Sequence, residues 1–586
     1  MAPQITHVDT DRYVGTLVGE STSRTFRLAV AHETIREQDI IAVDAELRPT
    51  ESTAGRERLR IWAKVQRIER INPLFPAESG HELAATRTSP FDTVLSFSRE
   101  MVTAVCQVLG AEPIEGAQGG RLDHVRYPPQ PATQAYRPDT HDIARVVLGD
   151  LAHRQNRALD IATLSNRPGV DVQVDGHAIV SRHLAILAMT GAGKSVTARR
   201  IIEELARKRY PIVIFDPHGD YTGLADVPAL QGQVRRYYAQ LPVFDEEPDK
   251  VVQIVESLAW SLSDNQRQHF ERLFLGAAAF LDAEGDDLAA RRDWLAGYLG
   301  NPKIQQYGLR ADLYFLADFV AAVIRAGRDE DTAVFDQIEA WTSQNYSGVI
   351  TRRVAGWIEG LVGRLRTAAK SIRRMETISR RIARQADPLP KDRTELVRHG
   401  QISVVSLAGY TGDFQATIYS LIATDVFDAK VRDELRYPLL FLLEEAHNFA
   451  PARAMMPAEE RSVAITRQIA QEGRKFGVGL ILISQRPSRL DETALSMCNS
   501  YVIMRMVNPA DQNFVRRVVE SLGEDDAQML PDLDVGEAIL SGQLINFPVL
   551  VRIKLPVSEG EHEERDAFEV LERVHRELQA EQQRRR

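Results

Sequence analysis

Cysteine is nearly absent. Cys106 and Cys498 are the two thiols in 586 residues, too few and too far apart for a disulfide framework or a thiolate metal cluster, which points to a reducing compartment. Long apolar runs are also missing. The longest, around Leu439–Leu443 and Val478–Ile483, fall far short of the roughly 20 residues that cross a bilayer. The N-terminal MAPQITHVDTDRY lacks the basic-then-apolar order of a secretory signal. Together these absences predict a cytoplasmic protein with no membrane segment. Positive charge is not in excess either: 72 Lys and Arg against 82 Asp and Glu leave a net charge of −10. That balance argues against nucleic-acid binding over the whole surface, but leaves room for a local basic one. No tandem repeat or low-complexity tract is evident. What remains, 44% hydrophobic and 26% charged residues, is ordinary globular composition, and the length suits about two to four domains.

Between Tyr13 and Leu74 the chain alternates apolar and polar residues in short segments (Val14 to Val18, Thr25 to Val30, Ile40 to Val43, Arg60 to Ile68) separated by polar turns. This reads as a small barrel or sandwich. Met101 to Leu109 and Ala144 to Leu148, divided by a Pro/Gly-rich stretch from Gly110 to Pro138, read as an extension of that domain and a connector. The character changes after Pro168-Gly169. Short continuous apolar runs follow at Leu184 to Ala188, Ile212 to Phe215, Ile402 to Leu407, Leu439 to Leu443, Gly479 to Ile483, Tyr501 to Met506 and Ala538 to Leu540. Runs of this kind mark strands buried on both faces, and helical patterns such as Val196 to Lys208 and Phe414 to Leu435 separate them, which predicts an α/β fold with a mainly parallel sheet. Helical sequence interrupts the alternation from about Glu246 to Arg393. There Val354, Trp357, Ile358, Leu361, Val362 and Leu365 recur at steps of three and four, as on one amphipathic helix. The expected division is therefore 1–150 for the barrel and connector, 164–245 and 395–556 for the two parts of the α/β core, 246–394 for an inserted helical bundle, and 557–586 for a helical tail carrying Phe568, Leu571, Val574 and Leu578.

The densest chemistry lies at Ala188-Met189-Thr190-Gly191-Ala192-Gly193-Lys194-Ser195, between an apolar run and a helical pattern. It matches the phosphate-binding loop, with Ala188 where a first glycine is usual. Gly191 and Gly193 let the backbone curl so that successive N–H groups face one point, to which the following helix adds its positive end. Residues Thr190 to Val196 would then hold a polyphosphate, Lys194 would reach the β- and γ-phosphates, and the Ser195 hydroxyl would ligate Mg²⁺. A hydrolytic site also needs acids, and Glu444-Glu445 follow the apolar run Leu439 to Leu443. Glu444 is the candidate for the Mg²⁺ shell and Glu445 for aligning or deprotonating the attacking water. The polar turn Asp216-Pro217-His218-Gly219-Asp220-Tyr221 ends another run, in the place where open α/β folds bind ligands. Gln485, after the run Gly479 to Ile483, can reach the γ-phosphate or the water. Arg474, within Gln471-Glu472-Gly473-Arg474-Lys475-Phe476-Gly477, is the candidate for a cation lent to a neighbouring subunit's site. His153, His177, His183 and His269 make no metal-ligand pairs. Leu540-Ser541-Gly542-Gln543 imitates an ABC-type signature but falls after the acids instead of before them, and reads as a strand and turn.

In SRHLAILAMTGAGKS (181–195), DPHGDY (216–221), LLFLLEEAHNF (439–449), QEGRKFG (471–477), ILISQRPSRLD (481–491), YVIMRMVNPADQ (501–512) and GEAILSG (536–542) the chain resembles the HerA family of hexameric ATPases, within the group that includes FtsK-type DNA translocases. The resemblance implies a RecA-like motor with an N-terminal barrel of the HerA type and an inserted helical bundle. It further implies a homohexameric ring that hydrolyses ATP with Mg²⁺ at subunit interfaces and moves double-stranded DNA through its channel. A partner nuclease of the NurA type, or a sirtuin-type NAD-hydrolysing protein, is implied too, in DNA end processing or phage defence. By family position Arg182 becomes a second arginine contacting phosphate. A surface for DNA is available in the insertion, where 351–385 carries ten basic residues against Glu359 and Glu376, an excess of eight. With no base-reading element, such contact would be independent of sequence. The competing expectation is a nucleotide-gated ring that activates an effector enzyme without moving DNA.

Overall fold

The computed structural model describes residues 11–31, 34–47, 57–71, 81, 85, 101–114, 120–149, 155–307, 310–557, 568 and 571–577. In chain order the strands are β1 (Tyr13–Ser21), β2 (Thr25–Val30), β3 (Ile40–Leu47), β4 (Glu57–Ile71), β5 (Met101–Pro113), β6 (Gln134–Tyr136), β7 (Ala158–Leu164), β8 (Arg167–Asp175), β9 (Leu184–Leu187), β10 (Ile212–Asp216), β11 (Val234–Tyr238), β12 (Asp387–Pro388), β13 (Ile402–Ser406), β14 (Leu439–Leu443), β15 (Val478–Ser484), β16 (Ser500–Met504), β17 (Glu537–Gly542) and β18 (Val549–Ile553). The chain divides into two units: Met1–Glu204 with Asn499–Leu555, and Leu205–Cys498 with Pro556–Arg586.

In the first unit, β1 to β6 close into a barrel in the order β1-β2-β5-β4-β3-β6. Val14, Leu17, Phe26, Leu28, Ile41, Val43, Ile61, Val65 and Cys106 fill it. The long β4–β5 pairing shifts register between Trp62 and Ala63 and again between Val65 and Arg67, and bulges of this kind bend strands enough to close a small barrel. Trp62 is fully buried, its indole N–H donating to Glu112 at 3.0 Å, while Arg145 grips the same carboxylate with two bonds of 2.7 and 2.8 Å. The barrel also reaches the α/β part of its own unit, through an ion pair of Lys64 with Asp526 at 2.7 Å, both almost wholly buried. The rest of the unit is built on a sheet in which β9 runs parallel to β16, followed by antiparallel β17, β18, β7 and β8. The change of character expected after Pro168-Gly169 instead falls inside β8. That strand pairs with β7 alone, so a residue without an N–H is tolerated there.

In the second unit the named strands all pair in parallel, in the order β12-β11-β13-β10-β14-β15. Every residue of β10, β13, β14 and β15 is buried, as expected of a sheet covered on both faces. The Gly412–Val431 and Pro457–Phe476 helices belong to this unit. A helical bundle is inserted between β11 and β12. Its helices Asp264–Leu281, Gly285–Leu299, Leu313–Asp329 and Thr332–Thr342 meet around Phe280, whose ring lies 5.5 Å from Phe319 and 5.4 Å from Trp341. A capping box of Ser263 and Gln266 starts the first of these, and Asp312 and Asp331 side chains cap the last two. The expected single amphipathic helix from Val354 to Leu365 is instead two, Arg352–Ile358 and Gly360–Ile382, divided at Glu359. Gly356, Gly360 and Gly363 weaken helical continuity there. Ala355, Ile358, Leu361 and Leu365 are buried, whereas Trp357 stays exposed beneath the Arg353 guanidinium, 4.8 Å from its ring centre. In the tail, 571–577 are helical with Leu571 and Val574 exposed, and Leu578 lies outside the described residues.

Candidate functional site

The phosphate loop belongs to the first unit. Strand β9 is wholly buried and ends at Leu187, and Ala188 beside it is fully buried too, so the methyl group in place of a glycine is accommodated. Gly191 and Gly193 take φ of +79° and +109°, a region that favours glycine. A Cβ on Gly193 would lie 3.1 Å from the Met504 methyl, whereas around Gly191 there is open space. The motifs far along the chain form the bed of this loop. Met189 donates its N–H to the Arg505 carbonyl at 2.9 Å, Gly536 donates to the Ala192 carbonyl at 3.1 Å, and the Thr197 hydroxyl donates to the Gly193 carbonyl at 3.0 Å. The Lys194–Arg207 helix starts directly after Gly193. Thr190 and Gly191 are exposed at the tip, Ser195 and Val196 are half-buried, and Ala192 and Lys194 are buried. Glycines at positive φ, a lysine and a hydroxyl at a helix start form a set that fits a polyphosphate with a hard cation. Arg182 ends a separate short helix, where its guanidinium donates to the Gln543 side chain and its carbonyl accepts from the Asn499 N–H. Ser541 and Gly542 end β17, so the ABC-like tetrapeptide is the expected strand and turn.

The carboxylates belong to the second unit. Strand β14 pairs with β10 and β15 in parallel, with Leu443 beside Phe215 and Leu482. The carboxyl ends of three neighbouring strands therefore bring Asp216, the Glu444-Glu445 pair and the Ser484-Gln485 pair together. Glu444 and Glu445 are 1% and 3% exposed. Glu445 has φ +47° and ψ +55°, left-handed backbone that an L-residue occupies at a cost of roughly 1–2 kcal/mol. This turn aims its carboxylate at β15, where Gln485 donates to it from both the side-chain amide and the backbone N–H. Gln485 is thus bonded to the candidate base itself. His447 Nδ1 lies 3.4 Å from Glu445 Oε2 and 3.4 Å from the Ser484 hydroxyl. Burial holds the His447 imidazole below its ordinary pKa, outweighing the nearby Glu445 charge, and Arg489 and Arg486 push the same way as burial.

The turn after β10 is built around Asp216, whose fully buried carboxylate accepts the backbone N–H groups of Gly219 at 2.7 Å, Asp220 and Tyr221 at 3.0 Å, and His218 at 3.3 Å. Burial raises the Asp216 pKa, and these donors partly offset the effect. Tyr221 ends the turn and its hydroxyl donates to Glu444 Oε2 at 2.6 Å. Sequence reasoning placed the turn but missed this bond, since the partners stand 223 positions apart. Arg474 is exposed in the last turn of the Pro457–Phe476 helix, which closes on Gly477 at φ +72°. Among the described residues no cluster of three or more His, Cys, Asp and Glu could hold a metal ion, and His153 lies outside them. No helix among them is long and apolar enough to cross a membrane.

The model of the helicase HerA central domain matches residues 159–348, a span that includes the phosphate loop. The DNA double-strand break repair helicase HerA of Pyrococcus furiosus is 28% identical over 527 residues, 86% of each chain. A probable helicase of Methanocaldococcus jannaschii is 28% identical over 564 residues, 92% of this chain and 95% of its own. Among solved structures, VirB4 of Thermoanaerobacter pseudethanolicus aligns with 68% of this chain at 14% identity and a TM-score of 0.41, a likeness that decides nothing further. The chain is thus similar to HerA helicases along most of its length, and with a formed phosphate loop and an acid pair at a strand end it is an ATP-hydrolysing enzyme.

Proposed function

We propose that the protein is an ATP-driven motor that moves along double-stranded DNA as a homohexameric ring. The phosphate loop from Thr190 to Val196 binds the triphosphate, with Lys194 neutralising the β- and γ-phosphates. Ser195 and Glu444 are the residues that would hold Mg²⁺, which when bound offsets charge on the phosphates. Glu445, fixed by Gln485, orients the attacking water and accepts its proton. Arg474 stabilises charge in the neighbouring protomer's site, and Arg182 adds a second phosphate contact. The observation that carries this reading is Glu445, a buried carboxylate held in left-handed backbone and aimed at Gln485. A structural acid does not require such a conformation, whereas strained residues cluster at active sites.

For DNA, the basic stretch 351–385 supplies the surface. Arg366 and Arg364 are committed to Asp318 and Gln266, while Arg352, Lys370, Arg374, Arg380, Arg381 and Arg384 are exposed. Support for a DNA substrate also comes from the relatives named as double-strand break repair helicases. A partner nuclease of the NurA type, or a sirtuin-type NAD-hydrolysing effector, in end processing or phage defence in the cytoplasm, completes the proposal and rests on the family resemblance alone. The test is ATP hydrolysis with and without linear duplex DNA, next to Lys194→Ala. Duplex-stimulated hydrolysis that the variant lacks supports the motor. Hydrolysis indifferent to DNA and to Lys194 contradicts it.

A further inference from the structure

Tyr221 is fully buried, and a phenol hydroxyl taken out of water needs a partner. Its partner is Glu444 Oε2 at 2.6 Å, a length typical of a hydrogen bond to an ionised carboxylate. The turn that carries the ring is itself pinned. Its own backbone N–H donates to Asp216 Oδ2 at 3.0 Å, and three further N–H groups of the turn converge on the other Asp216 oxygen. Gly219, at φ +88°, lets the turn fold back over that carboxylate. Since Phe215 pairs with Leu443 in the sheet, the turn presents the hydroxyl at the end of the strand that carries Glu444. Two acids thus have different work: Asp216 holds the turn, and the turn holds Glu444.

We propose that Tyr221 is a positioning residue that fixes the rotamer of Glu444 for the Mg²⁺ shell. This rests on the assignment of Glu444 to that shell. One Glu444 oxygen is committed to the phenol, so the carboxylate is oriented before nucleotide arrives and loses little freedom on binding the ion's shell. A purely structural tyrosine would contribute through its ring, and Tyr221→Phe keeps the ring while removing the bond.

The experiment titrates a fluorescent ATP analogue into the full-length protein, with Mg²⁺ and with chelator, for wild type, Tyr221→Phe, Glu444→Gln and the double variant, alongside thermal unfolding. The expected result is that Tyr221→Phe reduces the affinity gained from Mg²⁺ by about tenfold, the worth of one hydrogen bond to a charged group. Binding in chelator should match wild type, and the double variant should behave as Glu444→Gln alone. A full Mg²⁺ gain in Tyr221→Phe, with the gain lost in Glu444→Gln, overturns the inference and leaves the site reading standing. A full gain in Glu444→Gln overturns the assignment of Glu444 and the inference with it. Equal weakening with and without Mg²⁺ in Tyr221→Phe shows a structural hydroxyl and overturns the inference.

Discussion

At position 445 glycine should be more stable than alanine, the reverse of the usual order. Glu445→Gly and Glu445→Ala remove the same carboxylate and leave the same Gln485 amide without its partner, so those costs cancel in the comparison. What differs is the backbone, at φ +47° and ψ +55°. Left-handed geometry costs an L-residue roughly 1–2 kcal/mol that glycine avoids. Against this, glycine loses roughly 0.5–1 kcal/mol more conformational freedom on folding. The balance favours Glu445→Gly by about 1 kcal/mol, whereas in an ordinary helix or strand alanine wins by about the same amount. The sign is therefore diagnostic. Urea unfolding of the two variants at one pH, read as midpoint at constant slope, measures it. Both should hydrolyse ATP at least about 100-fold more slowly than wild type, the usual worth of a positioned general base. Equal stability, or a more stable alanine variant, would refute the strained turn. Retained hydrolysis in both would refute Glu445 as the base.

Three further outcomes are expected. Arg474→Ala should cut turnover by about 1,000-fold or more while nucleotide affinity and assembly mass are unchanged; full activity removes the finger assignment. Lys64→Met strands the buried Asp526 carboxylate and should cost roughly 3–5 kcal/mol in chemical unfolding, with Lys64→Met/Asp526→Leu recovering most of it; a loss under about 1 kcal/mol would mean the pair is solvated. His447, held below its ordinary pKa, must stay neutral in the native state, so the unfolded chain binds its proton first as pH falls. Stability should decline as pH drops through about 6.5 toward the depressed value, and His447→Asn should flatten that limb of the stability curve; an unchanged curve refutes the shift.

What the sequence made legible follows from how it is buried. Strands covered on both faces, such as Leu439–Leu443, stand out as uninterrupted apolar runs. Strand β11, Val-Arg-Arg-Tyr-Tyr, does not, because its arginines are partly exposed. Strands β7, β8 and β18 alternate buried with less buried residues, a weaker signal in a protein otherwise read as a parallel sheet, so these three do not stand out, whereas Ala538 to Leu540 of antiparallel β17 does. In the site, spacing identifies the phosphate loop because the glycines and lysine that one phosphate needs are contiguous. Glu444 and Glu445 can be found because they end an apolar run. Tyr221 could not be tied to Glu444, nor Met504 and Gly536 to the phosphate loop, because only the sheet brings those segments side by side.

The central claim is that each hydrolytic site takes its arginine from the next protomer. Co-expressing Lys194→Ala with Arg474→Ala, each inactive alone, tests it most directly. In random mixed rings about one interface in four joins an intact phosphate loop to an intact Arg474. The purified mixture should therefore recover ATP hydrolysis approaching a quarter of wild type. No recovery in rings shown by mass to contain both variants would contradict a shared site.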